Sequence, residues 1–271
     1  MSPLVLYDFE KGEWVSGSIG STPTPSSWEM TKPWYTANVG HESALIDYTS
    51  HSGGTITGSG QTISGRRFTD TVIFASPNIH AADCIFEAGY FGIDTEGKEA
   101  TGLVVEHSTI YGRHLKGDSG TLLLHNGSGT IRYCDVYDLE DGFKTSGPDK
   151  TFEYNHIHDL HQVPNEPHND GIQIGSSQRL TIRRNWIEAT DTSCIAMFQK
   201  DGTYSDVLIQ ENYLTGAGYL IYAGGTSGSN VQIIGNGFGS YTYGIVTELP
   251  PSGSYTWSGN FDYATGTPVN F

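Results

Sequence analysis

The sequence predicts an all-β protein with the fold of a single-stranded parallel β-helix, a solenoid of about eight or nine rungs. Three observations lead to this fold class. A short motif, apolar–x–x–Asn or small polar–x–apolar, recurs in steps of 21 to 30 residues. The units show strand-like alternation, and they have neither the leucine spacing of leucine-rich repeats nor the period of an ordinary helix. The clearest copies of the motif are Phe152–Ile157, Ile182–Ile187, Ile209–Leu214 and Ile233–Phe238.

The polar position of the motif predicts a column of stacked side chains. In a solenoid, equivalent positions of successive rungs lie about 4.8 Å apart, so side-chain amides there can bond one another and the backbone of a tight turn that Asn tolerates. The column holds Cys84, Ser108, Cys134, Asn155, Asn185, Asn212, Asn236 and Asn260. The apolar positions beside it should stack in the core, namely Ile182, Ile187, Ile209, Leu214, Ile233 and Phe238.

A second set of equivalent positions follows the column after eight residues and holds Gly92, Gly142, Ser193 and Gly244. In two rungs this spacing is longer than eight residues. Gly120 follows its column residue with about four extra residues, and Gly171 follows with about eight. We therefore expect loops near 111–119 and 160–169 to project from one edge of the solenoid. Inserts on one edge of a solenoid usually build its binding surface.

Composition limits the classes of function. The chain has 271 residues, 35 of them glycine, which suits one elongated β domain. We assign residues 61–271 to the β-helix and residues 1–60, which lack the repeat, to an N-terminal cap or attachment segment. The formal net charge is −16 with no basic stripe, so we expect no nucleic-acid partner. No apolar stretch suits a membrane span, and the first residues do not form a signal peptide.

The three cysteines, Cys84, Cys134 and Cys194, have no spacing motif. We interpret them as small buried side chains, neither a disulfide framework nor a zinc site.

Together with the repeats, the segment PHNDGIQ at 167–173 resembles the pectate-lyase-like right-handed parallel β-helices. The likeness covers about residues 61–271 and is greatest to the branch found in actinobacteria and in virion proteins of their phages. It implies a right-handed helix and a phage virion structural protein, such as a minor tail protein or a surface fibre, that contacts carbohydrate. The implied partners are other virion proteins or further copies of the chain, with a trimer favoured. The alternative is a secreted polysaccharide lyase or related enzyme acting on a uronate-containing glycan.

Candidate site residues gather where the longer insert enters. Asp141-Gly142-Phe143-Lys144 should stack on Asp170-Gly171-Ile172-Gln173, with Lys144 and Gln173 pointing outward. A lyase or epimerase needs a base and a group that neutralises the uronate carboxylate, often Ca²⁺. If the protein is an enzyme, we expect Lys144, His168 and Asp170 to be catalytic, with Lys144 as the base and His168 as an acid or base. Asp141 and Asp170 are then the candidate Ca²⁺ ligands, although the sequence indicates no definite metal site or cofactor.

Two other interpretations of these residues stay open. A hydrolase could use Asp141 and Asp170 as its carboxylate pair, although adjacent rungs place them closer than an inverting pair usually lies. Alternatively, Asp before Gly is a turn residue and the site has no chemistry. Carbohydrate binding is compatible with every interpretation, and its candidate residues are Gln173, Asp141, His161, Tyr111 and Tyr222. Further tyrosines expected on the outer surface are Tyr204, Tyr241 and Tyr243.

Overall fold

The computed structural model describes residues 5–8, 13–16, 39–41, 50–87, 91–94, 100–112, 121–124, 127–161 and 168–271. For residues 5–8, 13–16, 91–94 and 121–124 it describes the backbone alone. The chain forms two compact units, Met1–Thr31 and Lys32–Phe271. In the first unit, strands β1 (Val5–Asp8) and β2 (Glu13–Ser16) pair antiparallel. Most of the predicted cap lies outside the described residues, so the cap remains a prediction.

The second unit consists of three parallel sheets. Sheet 1 has ten strands: β3 (Ser50–His51), β6 (Arg67–Phe68), β9 (Ile85–Glu87), β12 (Thr109–Tyr111), β15 (Asp135–Tyr137), β18 (His156–His158), β21 (Trp186–Glu188), β24 (Tyr213–Thr215), β27 (Gly237–Phe238) and β30 (Phe261–Asp262). Sheet 2 has nine: β4 (Gly54–Ile56), β7 (Val72–Phe74), β10 (Phe91–Asp94), β13 (Thr121–Leu124), β16 (Phe143–Thr145), β19 (Asp170–Ile174), β22 (Ser193–Met197), β25 (Tyr219–Ala223) and β28 (Gly244–Thr247). Sheet 3 also has nine: β5 (Thr62–Ser64), β8 (His80–Ala82), β11 (Leu103–Glu106), β14 (Gly129–Arg132), β17 (Lys150–Glu153), β20 (Ser177–Arg183), β23 (Tyr204–Gln210), β26 (Gly228–Ile234) and β29 (Tyr255–Ser258).

Each strand pairs in parallel with the strand three places further along the chain, which makes the unit a β-solenoid. The all-β prediction is therefore confirmed for this fold. The described part of the chain contains only two short 3-10 helices, Gln199–Asp201 and Gly225–Ser227, and none of its helices has the length and apolar character to cross a membrane. Parallel pairing begins at β3, before residue 61.

The number of regular turns differs from the predicted eight or nine. Six consecutive turns, from β9 through β26, have at least three residues in every strand. The turns outside this stretch begin with two-residue strands at β3, β6 and β27. Short strands make fewer ladder hydrogen bonds, so we regard the six turns as the fully formed part of the solenoid.

The core follows the predicted repeat. Ile182 lies opposite Ile209, and Ile209 lies opposite Ile233, on adjacent strands of sheet 3. Ile187, Leu214 and Phe238 form the equivalent stack in sheet 1. Every one of these six side chains is at most 1% exposed. The prediction that they are buried and stacked is confirmed, and the rungs bury one continuous apolar interior that no single rung could bury alone.

The polar column forms a continuous hydrogen-bonded ladder in its second half. The backbone N–H of Asn185 donates to Oδ1 of Asn212 at 2.9 Å, and the N–H of Asn212 donates to Oδ1 of Asn236 at 2.9 Å. The side-chain amide of Asn212 also donates to the carbonyl of Ile182 at 2.9 Å. At the first rungs the hydroxyl of Ser108 takes the same role, accepting the N–H of Cys84 at 3.1 Å.

The residue that adopts the left-handed turn conformation is not the one that the sequence led us to expect. The positive φ belongs to the residue before the column, as at Tyr154 (56°), Arg184 (53°) and Glu211 (55°), and not to the Asn. Gly235 and Gly259 occupy the same place in the last two rungs. The Asn side chain thus contributes by bonding the backbone across the turn, and this bonding offsets the strain of a left-handed non-glycine residue.

The second set of equivalent positions needs a correction. Ser193 lies opposite Asp170, not opposite Gly171, and Ile195 rather than Cys194 continues the inward stack of Ile172. A one-residue shift enters the register because the turn after β21 differs in length from its neighbours. All three cysteines are free and buried, as predicted.

Candidate functional site

The two Asp-Gly segments lie on adjacent rungs of sheet 2. Phe143 is opposite Ile172 and Lys144 is opposite Gln173, as the sequence predicts. Phe143 and Ile172 are buried, while Lys144 and Gln173 are partly exposed on the outer face. Glycine is required after Asp141 because a Cβ on Gly142 would lie 2.5 Å from the carbonyl oxygen of Gly171. These Asp-Gly pairs are therefore places of close backbone approach between rungs.

Asp141 and Asp170 form a buried pair, and both side chains are 0% exposed. Oδ1 of Asp141 accepts the backbone N–H of Asp170 at 2.7 Å. Oδ1 of Asp170 accepts the hydroxyl of Ser193, from the next rung, at 2.5 Å. The two carboxyl groups and the serine thus connect three successive rungs. Because neither carboxyl group reaches the surface, the pair does not have the access to substrate that a hydrolase pair needs.

Asp170 is held largely in its protonated form. Burial, followed by the negative charge of Asp141, raises the pKa of Asp170 to about 8, and the hydrogen bond from Ser193 opposes this rise. Two adjacent buried carboxyl groups do not ionise together at neutral pH. At neutral pH Asp170 therefore contributes little negative charge to the pair.

Lys144 and His168 are the solvent-facing groups over this pair. Nζ of Lys144 lies 2.8 Å from Oδ2 of Asp141, and Nε2 of His168 lies 3.5 Å from Oδ2 of Asp170. The side chains are 34% and 41% exposed. Burial opposes the charge on Lys144, but the charge of Asp141 and its hydrogen bond outweigh it, so the pKa of Lys144 is raised. Lys144 is thus an ammonium ion at neutral pH, which disagrees with its predicted role as a base.

Three buried side-chain oxygens belong to this site. Among the described residues, Oδ2 of Asp170 and Oε1 of Gln173 are buried without a hydrogen-bond partner, and Oδ2 of Asp141 has its ion-pair contact with Lys144. The ligating atoms of Asp141, His168 and Asp170 lie within 4.8 Å of one another. Such a set could attract a cation, but the Lys144 ammonium already lies against Asp141. Ca²⁺ also prefers an all-oxygen shell to a histidine nitrogen. The Ca²⁺ ligands therefore remain a prediction from the sequence.

Two aromatic rings, the partly exposed Tyr222 and the buried Phe198, continue the site along the same sheet and form what we call its aromatic platform. Tyr222 lies two rungs from Gln173 in one outward column, with Ala196 between them. The ring of Phe198 packs 4.6 Å from Tyr222 and 6.2 Å from His168. Nζ of Lys200 lies 5.6 Å from the centre of the Phe198 ring. We call this surface, formed by Lys144, His168, Gln173, Phe198, Lys200 and Tyr222, the sheet 2 groove.

Tyr111 lies apart from this surface, and the backbone of His161 is fixed at the start of the longer insert. Tyr111 is on sheet 1, where its hydroxyl donates to Glu87 at 2.5 Å and its ring stacks on Tyr137. His161 follows β18, and its N–H donates to the carbonyl of Leu139 at 2.8 Å. The structure describes residues on both sides of the predicted loops, but 113–120 and 162–167 lie outside the described residues. Whether the loops project from one edge remains a prediction.

Tyr204 corrects an expectation about the tyrosines. It was expected on the surface, yet it is 1% exposed, and its hydroxyl donates to the carbonyls of Ile174 and Phe198. Tyr241 and Tyr243 are 48% and 74% exposed, as expected. Sequence reasoning missed Phe198 and Lys200, because they lie where β22 leads into a 3-10 helix and follow no repeat position.

With this geometry established, comparison with known families gives the handedness. A family model described as a right handed beta helix region matches residues 46–163. This match indicates that the β-solenoid is right-handed. The match covers less than half of the chain, and the three parallel sheets continue the same architecture beyond it. Searches of curated proteins and of solved structures gave no match.

Proposed function

We propose that this protein binds a polysaccharide along the sheet 2 groove, as a structural β-helix of a phage virion that contacts glycans. The observation that carries the binding is the outward column of sheet 2, which places charged and amide groups next to an aromatic platform. Flat rings cover the apolar faces of sugars, while amide and charged groups fix their hydroxyls and carboxylates. The virion setting rests on the resemblance of the repeats and of residues 167–173 to phage β-helices.

The local charge of the groove supports an acidic or neutral glycan. The whole chain carries a net charge of −16, which would repel a polyanion. In the groove, however, Asp170 is largely protonated and the charge of Asp141 is neutralised by Lys144. Lys200 adds a positive charge beside the platform. Glu140 and Glu248 lie near enough to act on Lys144 and Tyr222. A uronate-containing strand would therefore meet less negative charge here than the net charge of the chain implies, but not a positive surface.

Binding is tested with the purified chain on a panel of uronate-containing and neutral polysaccharides. We expect Tyr222→Ala and Lys144→Ala to weaken binding about tenfold, and the double variant to weaken it further. The matched controls are Tyr133→Ala, a half-buried tyrosine of another face, and Arg179→Ala, a cation of sheet 3. If the controls weaken binding as much as the groove variants do, the glycan does not lie in this groove.

The second candidate function is a polysaccharide lyase, which the two solvent-facing groups over the Asp pair favour. In this reaction the Lys144 ammonium would neutralise the uronate carboxylate. His168 would take the proton from the carbon next to that carboxylate, and a C=C bond would form between this carbon and its neighbour. The glycosidic C–O bond at the neighbour would break, and its oxygen would leave as a hydroxyl after taking a proton from water. Asp170 and Asp141 would hold His168 and Lys144 in place without touching substrate. This assignment moves the role of base from Lys144 to His168.

A lyase would produce an unsaturated sugar that absorbs in the ultraviolet. We expect His168→Gln to abolish that product while leaving glycan binding within about twofold, because Gln keeps the size and polarity of the side chain. Wild-type protein that binds a glycan yet releases no unsaturated product from any uronate polymer would reject the lyase and leave the binding function.

A further inference from the structure

A second group of histidines and carboxylates lies on sheet 1, away from the sheet 2 groove. His156 and His158 alternate on β18 and both face outward, and Asp135 lies opposite His156 on β15. Oδ1 of Asp135 is 3.1 Å from Nε2 of His158 and 3.6 Å from Nδ1 of His156. One ligating atom from each of the three side chains fits within 4.8 Å. The three side chains thus each present one ligating atom to the same small region.

Each histidine turns its other nitrogen toward a second carboxylate. Nδ1 of His158 lies 2.8 Å from Oδ2 of Asp159, and Nε2 of His156 lies 3.5 Å from Oε1 of Glu188. The indole N–H of Trp186 donates to the same Glu188 oxygen at 2.6 Å and holds it in place. A carboxylate on the far nitrogen of a histidine fixes the ring so that its near nitrogen presents a lone pair.

Within the cluster, one nitrogen of each ring faces the same carboxylate oxygen of Asp135. The two rings stack with centroids 4.0 Å apart, and this stacking holds them side by side. A single metal ion bound by all three atoms satisfies the lone pairs and the carboxylate together.

We propose that Asp135, His156 and His158 bind a divalent transition-metal ion of the zinc class. Zinc-to-nitrogen bonds of about 2.0–2.1 Å in a tetrahedron place neighbouring ligand atoms about 3.4 Å apart. The two measured separations, 3.1 and 3.6 Å, lie on either side of that value. Imidazole with carboxylate suits zinc and its neighbours in the first transition row, whereas Ca²⁺ and Mg²⁺ prefer oxygen alone. Three protein ligands leave a fourth position for water or for an oxygen of a bound molecule.

The site would also link the rungs of the solenoid. Its three ligands come from two adjacent strands, β15 and β18, and Glu188 belongs to the next strand, β21. A bound ion would therefore stabilise the folded chain, and this stabilisation would grow with the logarithm of the ion concentration above the dissociation constant. This gives the proposal a readout that does not depend on any activity toward glycans.

The test uses the purified chain after any affinity tag has been cleaved off and any bound metal has been removed with a chelator. The chain is titrated with Zn²⁺ in a calorimeter, and separately with Co²⁺ while the visible absorption is recorded. We expect one ion per chain, the intense absorption of four-coordinate Co²⁺, and a higher melting temperature with Zn²⁺. His158→Gln and Asp135→Asn should weaken binding by at least about tenfold. The matched control is His80→Gln, a histidine of sheet 3 that lies 2.7 Å from the carboxylate of Glu106. It should bind as wild type does.

Asp159→Asn provides a variant with little effect on the fold, since the Asp159 side chain is 86% exposed and Asn tolerates its positive φ. Loss of the carboxylate behind His158 should weaken Zn²⁺ binding about 10- to 100-fold. The proposal is overturned if wild-type chain takes up no ion, or if Asp135→Asn and His158→Gln bind as tightly as wild type. It is equally overturned if the ion is lost in His168→Gln but kept in Asp135→Asn, because the metal would then lie in the sheet 2 groove.

Discussion

Replacing Asn212 with alanine should strongly destabilise the solenoid, because this side chain bonds both neighbouring rungs. Toward the preceding rung, its Oδ1 accepts the N–H of Asn185 at 2.9 Å and its side-chain amide donates to the carbonyl of Ile182 at 2.9 Å. Toward the next rung, the amide donates to Oδ1 of Asn236 at 3.0 Å. Asn212 is 0% exposed, so water cannot replace these partners. A buried polar group that loses its partner costs about 1–3 kcal/mol, and two such losses give about 2–6 kcal/mol of unfolding free energy.

The chain itself suggests a graded variant. Ser108 accepts the N–H of Cys84 in an equivalent rung, so Asn212→Ser should keep the bond to Asn185 and lose the one to Ile182. Its destabilisation should therefore be about half that of Asn212→Ala. Gln232→Ala, on the outward face of sheet 3, should change stability by less than about 0.5 kcal/mol.

The assay is urea unfolding followed by tryptophan fluorescence and by far-ultraviolet circular dichroism. The two transitions must coincide, because solenoids can unfold in parts. An Asn212→Ala variant as stable as Gln232→Ala would refute the conclusion that the Asn ladder stabilises the rungs.

Other perturbations have expected outcomes. Ile209→Ala should cost about 2–5 kcal/mol in the same assay by leaving a cavity, and Ile209→Val about 0.5–1.5 kcal/mol; equal losses would contradict the close packing of the Ile stack. The pKa of Asp170 is raised in the folded chain, so between about pH 4 and about pH 8 the folded chain holds a proton that the unfolded chain releases. The contribution of Asp170 to stability is therefore present at low pH and falls as pH rises through this range. Asp170→Asn should flatten that fall in thermal melts across pH, and an unchanged slope would show that Asp170 is ionised when folded. We expect light scattering to detect a homo-oligomer, a trimer being favoured, which deletion of residues 1–55 dissociates; a folded monomer before and after deletion would exclude this assembly.

The repeat predicted much of the fold because every rung faces the same physical problem. Each must bury one apolar stripe and satisfy one tight turn, so Ile182, Ile209 and Ile233 recur in sequence as they stack in space. The pairing of Lys144 with Gln173 followed by counting from the two Asp-Gly segments. The same spacing gave the wrong partner for Ser193, because a change in turn length moves every later residue of that strand to a new partner.

The sequence by itself determined the solenoid, its Asn ladder, its buried cysteines and the rung that carries Asp141 and Asp170. Only the tertiary structure decided the charge, the partners and the burial of individual residues. The charge on Asp170, the ion pair of Lys144 and the burial of Tyr204 depend on neighbours from other rungs. So does the convergence of Asp135 on two histidines of the following rung. A pKa or a ligand geometry is set by distances of a few ångströms between rungs, and a repeat pattern fixes which rungs are adjacent without fixing those distances.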